Sequence, residues 1–376
     1  MRIERLDFFR FPVPFKVVFR HASASRRRAE NLIVAARSED GRTGYGEGCP
    51  RSYVSGETPG SGLAFLAEHA PALAAEVVDV DSLRAWTRSR REVIDRNPAA
   101  FCALETAVLD LFGRVEGRPV EDLVGVPRLT GSFQYSAVLG DAPWPVYRWQ
   151  LRRYRKWGMR DFKLKLSGDP RRDRGKLRAF GSGEPVRVRL DANNLWTSPD
   201  ECIRHLRGLP GAVFAVEEPL RPGDIEGFER VGRECGARIV LDESLLRADQ
   251  LGALQDPARW IANLRVSKLG GILRSLEVAA KAAERGVGVI VGAQVGETSI
   301  LARAALTLMR AAGPNLIASE GAFGTHLLQS DLTSPSLMFG SGGLLDAEPW
   351  SDPGNGGLGL EIDPGGLVPA AAPEPA

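Results

Sequence analysis

Cysteine is scarce in this 376-residue chain, and the four present, Cys49, Cys102, Cys202 and Cys235, form no Cys-x-x-Cys pair. Neither a disulfide framework nor a cysteine-built zinc site is therefore expected. Histidine is equally scarce: His21, His69, His205 and His326 stand at no metal-ligand spacing, which argues against a zinc-dependent barrel hydrolase. No Gly-x-Ser-x-Gly follows a strand-like run, so the usual serine hydrolase arrangement is missing too. The start, Met1-Arg2-Ile3-Glu4-Arg5, lacks the apolar run of a signal peptide, and no apolar stretch reaches membrane-spanning length. A cytoplasmic protein is the expectation. With 49 basic against 47 acidic residues, net +2, there is no electrostatic case for a nucleic-acid or membrane partner. The arginine runs at 26–28 and 152–155 read as solvated faces. Gly354-Asn355-Gly356-Gly357-Leu358-Gly359 formally matches a dinucleotide fingerprint, but it lies in a tail after Asp352-Pro353 and opens no βαβ unit.

What is present is a period. From about residue 130, short β-branched runs alternate with longer amphipathic stretches, the pattern of repeated βα units around a parallel sheet. Eight strands are expected, near 133–138, 161–166, 186–191, 215–218, 238–242, 261–268, 286–293 and 316–320. Polar residues end seven of them: Lys165, Asp191, Glu217, Asp242, Lys268, Gln294 and Glu320, at steps of 26, 26, 25, 26, 26 and 26. One constant step per βα unit puts these residues at one height, at the C-terminal mouth of a closed barrel, where barrel enzymes keep their sites. The first 125 or so residues read as α+β, with strands at 3–11 and 32–38 and helices near 61–77, 80–95 and 99–116. A Gly/Pro-rich tail ends in a strand-like 359–362 and is expected to return to that unit. The division is 1–127 for a capping domain, 128–331 for the barrel and 332–376 for the returning segment.

Asp191, Glu217 and Asp242 end neighbouring strands, so three negative oxygens converge on one sector of the mouth. An all-oxygen site favours a hard cation that leaves room for water and substrate, Mg²⁺ rather than Ca²⁺, with Mn²⁺ as a substitute. Lys165 and Lys268, four strands apart in a ring of eight, face each other across the mouth. Lys163 alternates with Lys165 and shares its side, so its charge is expected to lower the Lys165 pKa and make it a better base. Removing a proton beside a carboxylate places a second negative charge there, as an enediolate, and a metal ion relieves it. Gln294 and Glu320 are candidate substrate contacts. So are Phe19, Arg20, His21 and Arg26, in an expected mobile capping loop at 15–28.

Lys163-Leu164-Lys165, Asp191-Ala192-Asn193, Val216-Glu217-Glu218-Pro219, Leu241-Asp242-Glu243-Ser244 and Ser267-Lys268-Leu269-Gly270-Gly271 together resemble the enolase superfamily, in its muconate-lactonizing-enzyme subgroup. The resemblance covers nearly the whole chain. It implies an α/β fold, a modified (β/α)7β TIM-type barrel with an α+β N-terminal capping domain completed by the C-terminal tail. It further implies Mg²⁺ held by Asp191, Glu217 and Asp242, with Lys165 and Lys268 as acid/base groups. Lys163 would help hold the substrate carboxylate, and Asn193, Glu218 and Glu243 would support the site. A small carboxylate substrate and a homo-oligomer follow from the same resemblance. Glu320-Gly321-Ala322-Phe323-Gly324 is similar to the strand 8 segment of muconate cycloisomerases, with one residue inserted, and the Asp-x-Asp typical of dipeptide epimerases is missing there. Yet Gly46-Glu47-Gly48 and Ser55-Gly56-Glu57-Thr58 are similar to the capping domain of those epimerases. A cycloisomerase-like isomerase or lyase is the leading expectation. A dipeptide or N-acylamino acid epimerase, an o-succinylbenzoate synthase-like dehydratase, and a non-catalytic binding protein on the same fold stay open.

Overall fold

The computed structural model describes residues 2–21, 24–181, 185–351 and 354–370; the side chains of 18–25 lie outside the described set, and with them the expected contacts Phe19, Arg20 and His21. The N-terminal unit opens with an antiparallel hairpin, β1 (Ile3–His21) and β2 (Ala24–Ser38), continued by β3 (Thr43–Gly48). The expected loop at 15–28 is instead the end of this hairpin, which pairs as far as His21 with Ala24 and shifts register between Pro14 and Phe19. Pro12 and Pro14 break the apolar alternation. They are tolerated because, beyond Phe9 and Arg10, the side of β1 away from β2 meets no continuous strand among the described residues, only contacts from residues 327–329 in which Pro14 takes part as an acceptor, through its carbonyl.

Helices α1 (Pro59–Glu76), α2 (Val80–Ser89), α3 (Arg91–Arg96), α4 (Pro98–Glu116) and α5 (Val120–Val124) complete the unit. The single helix expected at 80–95 is two, divided at Arg90, which leaves helical geometry at φ −121° and ψ 25°. Helix α4 is buried along almost its whole length and lies directly on β3. Gly44, Gly46 and Gly48 face it in alternation, and a Cβ on any of them would run into backbone atoms of Leu111, Ala103 or Ala99. Only a glycine every second residue lets helix and strand approach this closely.

The barrel follows. Strand β4 (Ser132–Gln134) leads into β5 (Ala137–Leu139) and α6 (Trp144–Lys156). Then come β6 (Asp161–Lys165), α7 (Pro170–Arg178), β7 (Arg187–Asp191), α8 (Pro199–Arg207), β8 (Ala215–Glu217), α9 (Ile225–Cys235) and β9 (Arg238–Leu241). The second half is β10 (Trp260–Arg265), α10 (Val266–Leu269), α11 (Ile272–Arg285), β11 (Gly288–Gly292), α12 (Ser299–Ala312) and β12 (Leu316–Ser319). Strands β5 to β12 form one parallel sheet in chain order. It closes where Tyr135 bridges Ser319 and the Ser136 N–H donates to the Ser319 carbonyl at 2.8 Å. Helices cross back after six strands and 3₁₀ turns link β9 to β10, which makes seven crossovers, and among the described residues no α-helix follows β12, the order of a (β/α)7β barrel. Because both faces are covered, β8 and β11 are buried throughout, the continuous apolar runs of a parallel sheet.

Two expected strands differ. The run 133–138 divides, β4 pairing with β13 (Leu344–Asp346) while β5 opens the barrel. The tail does return to the N-terminal sheet, but through β14 (Val368–Pro369) beside Phe9 and Arg10, and 359–362 is not a strand. No helix among the described residues is long and apolar enough to cross a membrane.

Buried polar groups join the N-terminal unit to the barrel. Glu47 on β3 accepts the Thr298 N–H at 2.9 Å and the Thr298 hydroxyl at 2.7 Å at the start of α12. Glu105 on α4 does the same for α11, and Glu121 on α5 takes both ends of the Arg303 guanidinium at 2.8 and 2.9 Å. Carboxylates at helix N-termini meet unpaired N–H groups and the positive end of the dipole, so these contacts favour docking of one unit on the other.

Candidate active site

The strand-end residues converge at the barrel mouth. Lys165 aligns with Asp191, and Asp191 with Glu217, as direct register partners across β6, β7 and β8. Lys163 Nζ lies 2.7 Å from Glu217, 3.1 Å from Glu320 and 3.5 Å from Asp191. Lys165 Nζ donates to Asn193 Oδ1 at 2.8 Å and stands 3.5 Å from Asp191. Asp191, Glu217 and Asp242 are almost wholly buried. Burial works against charge on Asp191, but Lys163, Lys165 and Arg265 outweigh it and hold the carboxyl low. Burial also opposes charge on Lys163, yet Glu217, Glu320 and Asp191 keep it firmly protonated. Glu217 is raised by burial despite Lys163, with Asp191 and Glu320 as further negative neighbours.

Lys268 is placed differently from the sequence expectation. Strand β10 ends at Arg265, not at 268, and Lys268 sits on the four-residue helical turn α10. Its Nζ donates to the Asp242 carbonyl at 2.5 Å, to Asp242 Oδ1 at 3.0 Å and to the Asn263 carbonyl at 3.0 Å. It is held against Asp242 and Asn263 from a helical turn beyond the strand, which advances the chain less per residue than extended backbone. Burial, then Arg265, lowers its pKa to about 7. Arg265 takes the strand end. Its guanidinium bonds Asp242, lies 3.9 Å from Glu217 and donates to Gln294 at 3.3 Å.

The supporting residues are firmly held. Glu218, at φ +40°, accepts the Asp242 N–H at 2.7 Å and the Ser244 N–H at 2.9 Å, orienting the Asp242 loop. Asn193 pairs with Lys165 as above. Glu243 is raised to about 7 by burial and then by Glu218 and Glu217, and its Oε2 has no hydrogen-bond partner. Glu320 is held on both sides, by Lys163 and by Arg189 at 2.9 Å.

A cavity of about 580 Å³ opens here, within the range of small-molecule sites. Its polar floor includes Lys163, Lys165, Asp191, Asn193, Arg265 and Gln294, and it does not reach Lys268. Its walls are mostly apolar, from Val138, Val146 and Tyr154 around to Val295, Phe323 and Leu327, with Val17 and Tyr53 from the N-terminal unit. Arg26, an expected contact, packs over the Tyr53 ring at 5.0 Å. Arg265 and Arg189 are absent from the sequence expectations, although each had a signal. Arg189 is two residues before Asp191 on one strand and so shares its face; Arg265 precedes the helical turn that the strand reading overran.

Residues 7–125 match the mandelate racemase/muconate lactonizing enzyme N-terminal domain, and residues 147–365 match the enolase C-terminal domain-like family. The chain belongs to the enolase superfamily. Among curated enzymes of this superfamily, a hydrophobic dipeptide epimerase of Citrifermentans bemidjiense is 30% identical over 75% of this chain and 78% of its own. The L-Ala-D/L-Glu epimerase of Bacillus subtilis is 26% identical over 96% of this chain and 97% of its own. A dipeptide epimerase structure from Methylococcus capsulatus, complexed with a Mg ion, superposes with a TM-score of 0.79 at 26% identity, covering 96% of this chain and all of that one. The chain is thus an enolase-superfamily enzyme of the muconate-lactonizing-enzyme subgroup, with epimerases among its relatives.

A site of this superfamily calls for a metal ion. The donor chemistry fits: three buried carboxylates on adjacent strands share cationic neighbours, Lys163 between Asp191 and Glu217, and Arg265 between Glu217 and Asp242. Among the described residues no three such groups stand close enough to form a ready-made cage. The two cationic side chains lie between the carboxylates, and both are long enough to move aside.

Proposed function

We propose that this enzyme epimerises or racemises a small amino-acid derivative, a dipeptide or N-acylamino acid, by moving the proton next to its carboxylate. The observation that carries the reading is the buried group of Asp191, Glu217 and Asp242, with Lys165 beside Asp191 and Lys268 beside Asp242, next to a largely apolar cavity that Lys165 and Asp191 line. Mg²⁺ held by these three carboxylates, or Mn²⁺ in its place, would supply positive charge that offsets the second negative charge the substrate carboxylate gains on deprotonation.

Lys165 opens onto the cavity and exchanges a proton with one face of the α-carbon. Lys268 serves the other face by turning its flexible stem away from the Asp242 and Asn263 carbonyls. Lys163 keeps its charge and helps to hold the substrate carboxylate, with Gln294 alongside. Asn193, Glu218 and Glu243 orient these groups. The apolar walls favour an apolar substrate side chain, and the relatives named above act on dipeptides. With this reading go a cytoplasmic location, a homo-oligomeric assembly and the division at 127/128 and 331/332.

The cycloisomerase reading is second, favoured by the Glu320 to Gly324 segment. Against it as a substrate-contact argument, Glu320 already carries two cationic partners.

The decisive experiment is α-proton exchange in D₂O with Mg²⁺, followed by NMR on both enantiomers of a panel of dipeptides and N-acylamino acids. Lys165→Ala should abolish exchange from one enantiomer and Lys268→Ala from the other, each by at least about 10²-fold, the range for a lost general base. Asp242→Asn should lose Mg²⁺ dependence together with activity. Exchange of both enantiomers at the native rate in either lysine variant would sink the proposal, and lactone formation from cis,cis-muconate without any exchange of the panel would support the second reading.

A further inference from the structure

Lys165 and Lys268 are secured by different means. Lys165 belongs to β6, hydrogen-bonded in register to β5 and β7, so the sheet itself places it. Lys268 lies beyond the end of β10, on a turn of only four residues. That turn leads into Gly270 at φ +84° and Gly271 at φ +104°, conformations that glycine alone adopts freely and that leave the link pliable. Asp242 and the Asn263 carbonyl hold the Lys268 ammonium, but the turn that carries it lies outside the sheet ladder and is open to contacts from elsewhere.

Two such contacts come from the N-terminal unit. The Cys49 N–H donates to Ser267 Oγ at 2.8 Å, next to the lysine. On the other side Glu105 of α4, fully buried, accepts the Ile272 N–H at 2.9 Å and the Leu273 N–H at 2.7 Å, the first two free amides of α11. Gly271 lies so near this carboxylate that a Cβ there would stand 2.5 Å from Glu105 Oε2. Gly271 therefore has a steric reason, which is to let a carboxylate from another unit reach the start of α11.

We propose that Glu105 is a positioning residue for Lys268: by holding the first turn of α11 it sets the angle of the Gly270-Gly271 link and hence the aim of the lysine at the substrate. The proposal rests on Lys268 being an acid/base group, as put forward above. It makes one half of a two-lysine reaction depend on the N-terminal unit, whereas the Lys165 half depends on the barrel sheet alone. The loss on removing Glu105 is accordingly one-sided.

The test uses the full-length Mg²⁺-loaded enzyme and four probes, L-Ala-L-Phe, L-Ala-D-Phe, N-acetyl-L-phenylalanine and N-acetyl-D-phenylalanine, with α-proton exchange in D₂O read by NMR. The stereoisomer assigned to Lys268 is the one whose exchange Lys268→Ala abolishes. In Glu105→Gln, which turns one of the two accepting oxygens into an NH₂ donor facing a backbone N–H, exchange of that stereoisomer should fall at least tenfold while the Lys165 stereoisomer changes less than twofold. Ser267→Ala, a gentler change that removes only the acceptor for Cys49, should show the same one-sided loss to a smaller degree and keeps the question answerable should Glu105→Gln fold poorly. Glu57→Gln is the control, since Glu57 caps α4 through Ala99 and Ala100 without touching the Lys268 turn; it should lower both stereoisomers equally or neither. Equal losses for both stereoisomers in Glu105→Gln and Ser267→Ala, or none, would overturn the positioning role while leaving the proposed reaction intact. Native enzyme that exchanges none of the four probes would overturn the reaction for these substrates and the positioning role with it.

Discussion

At Glu320 one carboxylate receives two cations, Arg189 from below the mouth and Lys163 from its floor. Arg189 also bonds Asp161 at 2.6 Å and the Ser136 hydroxyl at 2.9 Å, so it ties β5, β6, β7 and the end of β12 together. Breaking such a buried pair from one side leaves an uncompensated charge and costs about 3–5 kcal/mol. Arg189→Met should therefore lower the unfolding free energy by that order, read as a lower denaturant midpoint. It should also reduce turnover, since Glu320 is left with Lys163 alone and draws it away from Glu217. Chemical denaturation and steady-state kinetics on one sample check both, and an unaltered midpoint would show that Arg189 is not the keystone described here. Lys165 and the three carboxylates were legible from steps of 25 or 26 residues, because strand-end height is a linear property of a βα repeat. The partners of Glu320 were not, because pairing across the barrel links residues 131 and 157 apart in sequence.

Among the elements, β3 shows how much local sequence can carry. Thr43-Gly44-Tyr45-Gly46-Glu47-Gly48 alternates glycine with side chains, and every second position is pressed on the α4 backbone. Gly46→Ala should destabilise the protein by about 1–3 kcal/mol or more, the range for overpacking a tight contact, read as a lower melting temperature with unchanged Mg²⁺ dependence of whatever activity remains. No change in melting would mean that α4 can shift away at little cost. Other elements misled the sequence reading for definable reasons. Residues 261–268 keep an apolar rhythm through Leu264 and Val266, so a strand and a following helical turn look like one run. Residues 15–28 follow Pro12 and Pro14 and carry Arg20 and Arg26 to Arg28, and so read as loop, whereas an edge position in the hairpin accommodates both.

For the whole molecule, the docking of the N-terminal unit on the barrel is partly a matter of buried carboxyl groups. Burial raises Glu47 to about 7 despite the hydrogen bonds it accepts from Thr298 and Leu301. Its folded pKa therefore lies above its unfolded value near 4.5. The stability it contributes is fully present below about pH 4.5 and is lost as pH rises through about 7. Glu47→Gln should flatten the fall in unfolding free energy between those pH values. It should also lower stability at every pH by about 1–3 kcal/mol, because an amide cannot accept from all the donors around it. Denaturant titrations at several pH values measure the slope, and a slope unchanged by the substitution would assign the pH dependence elsewhere.

By itself the sequence determined the barrel, the cap and the placing of Lys165, Asp191, Glu217 and Asp242 at the ends of successive strands, because a regular βα repeat converts spacing along the chain directly into height and neighbourhood in space. Only the tertiary structure decided that Arg265 stands at the strand end, that Lys268 is held by Asp242 on a turn next to the helix start that Glu105 caps, and that Glu320 is already paired. Those outcomes depend on closing the barrel and laying a second unit across it. Contacts between residues far apart in sequence leave no period to read, and in a buried interior the partner a charge finds within 3 or 4 Å decides what it does.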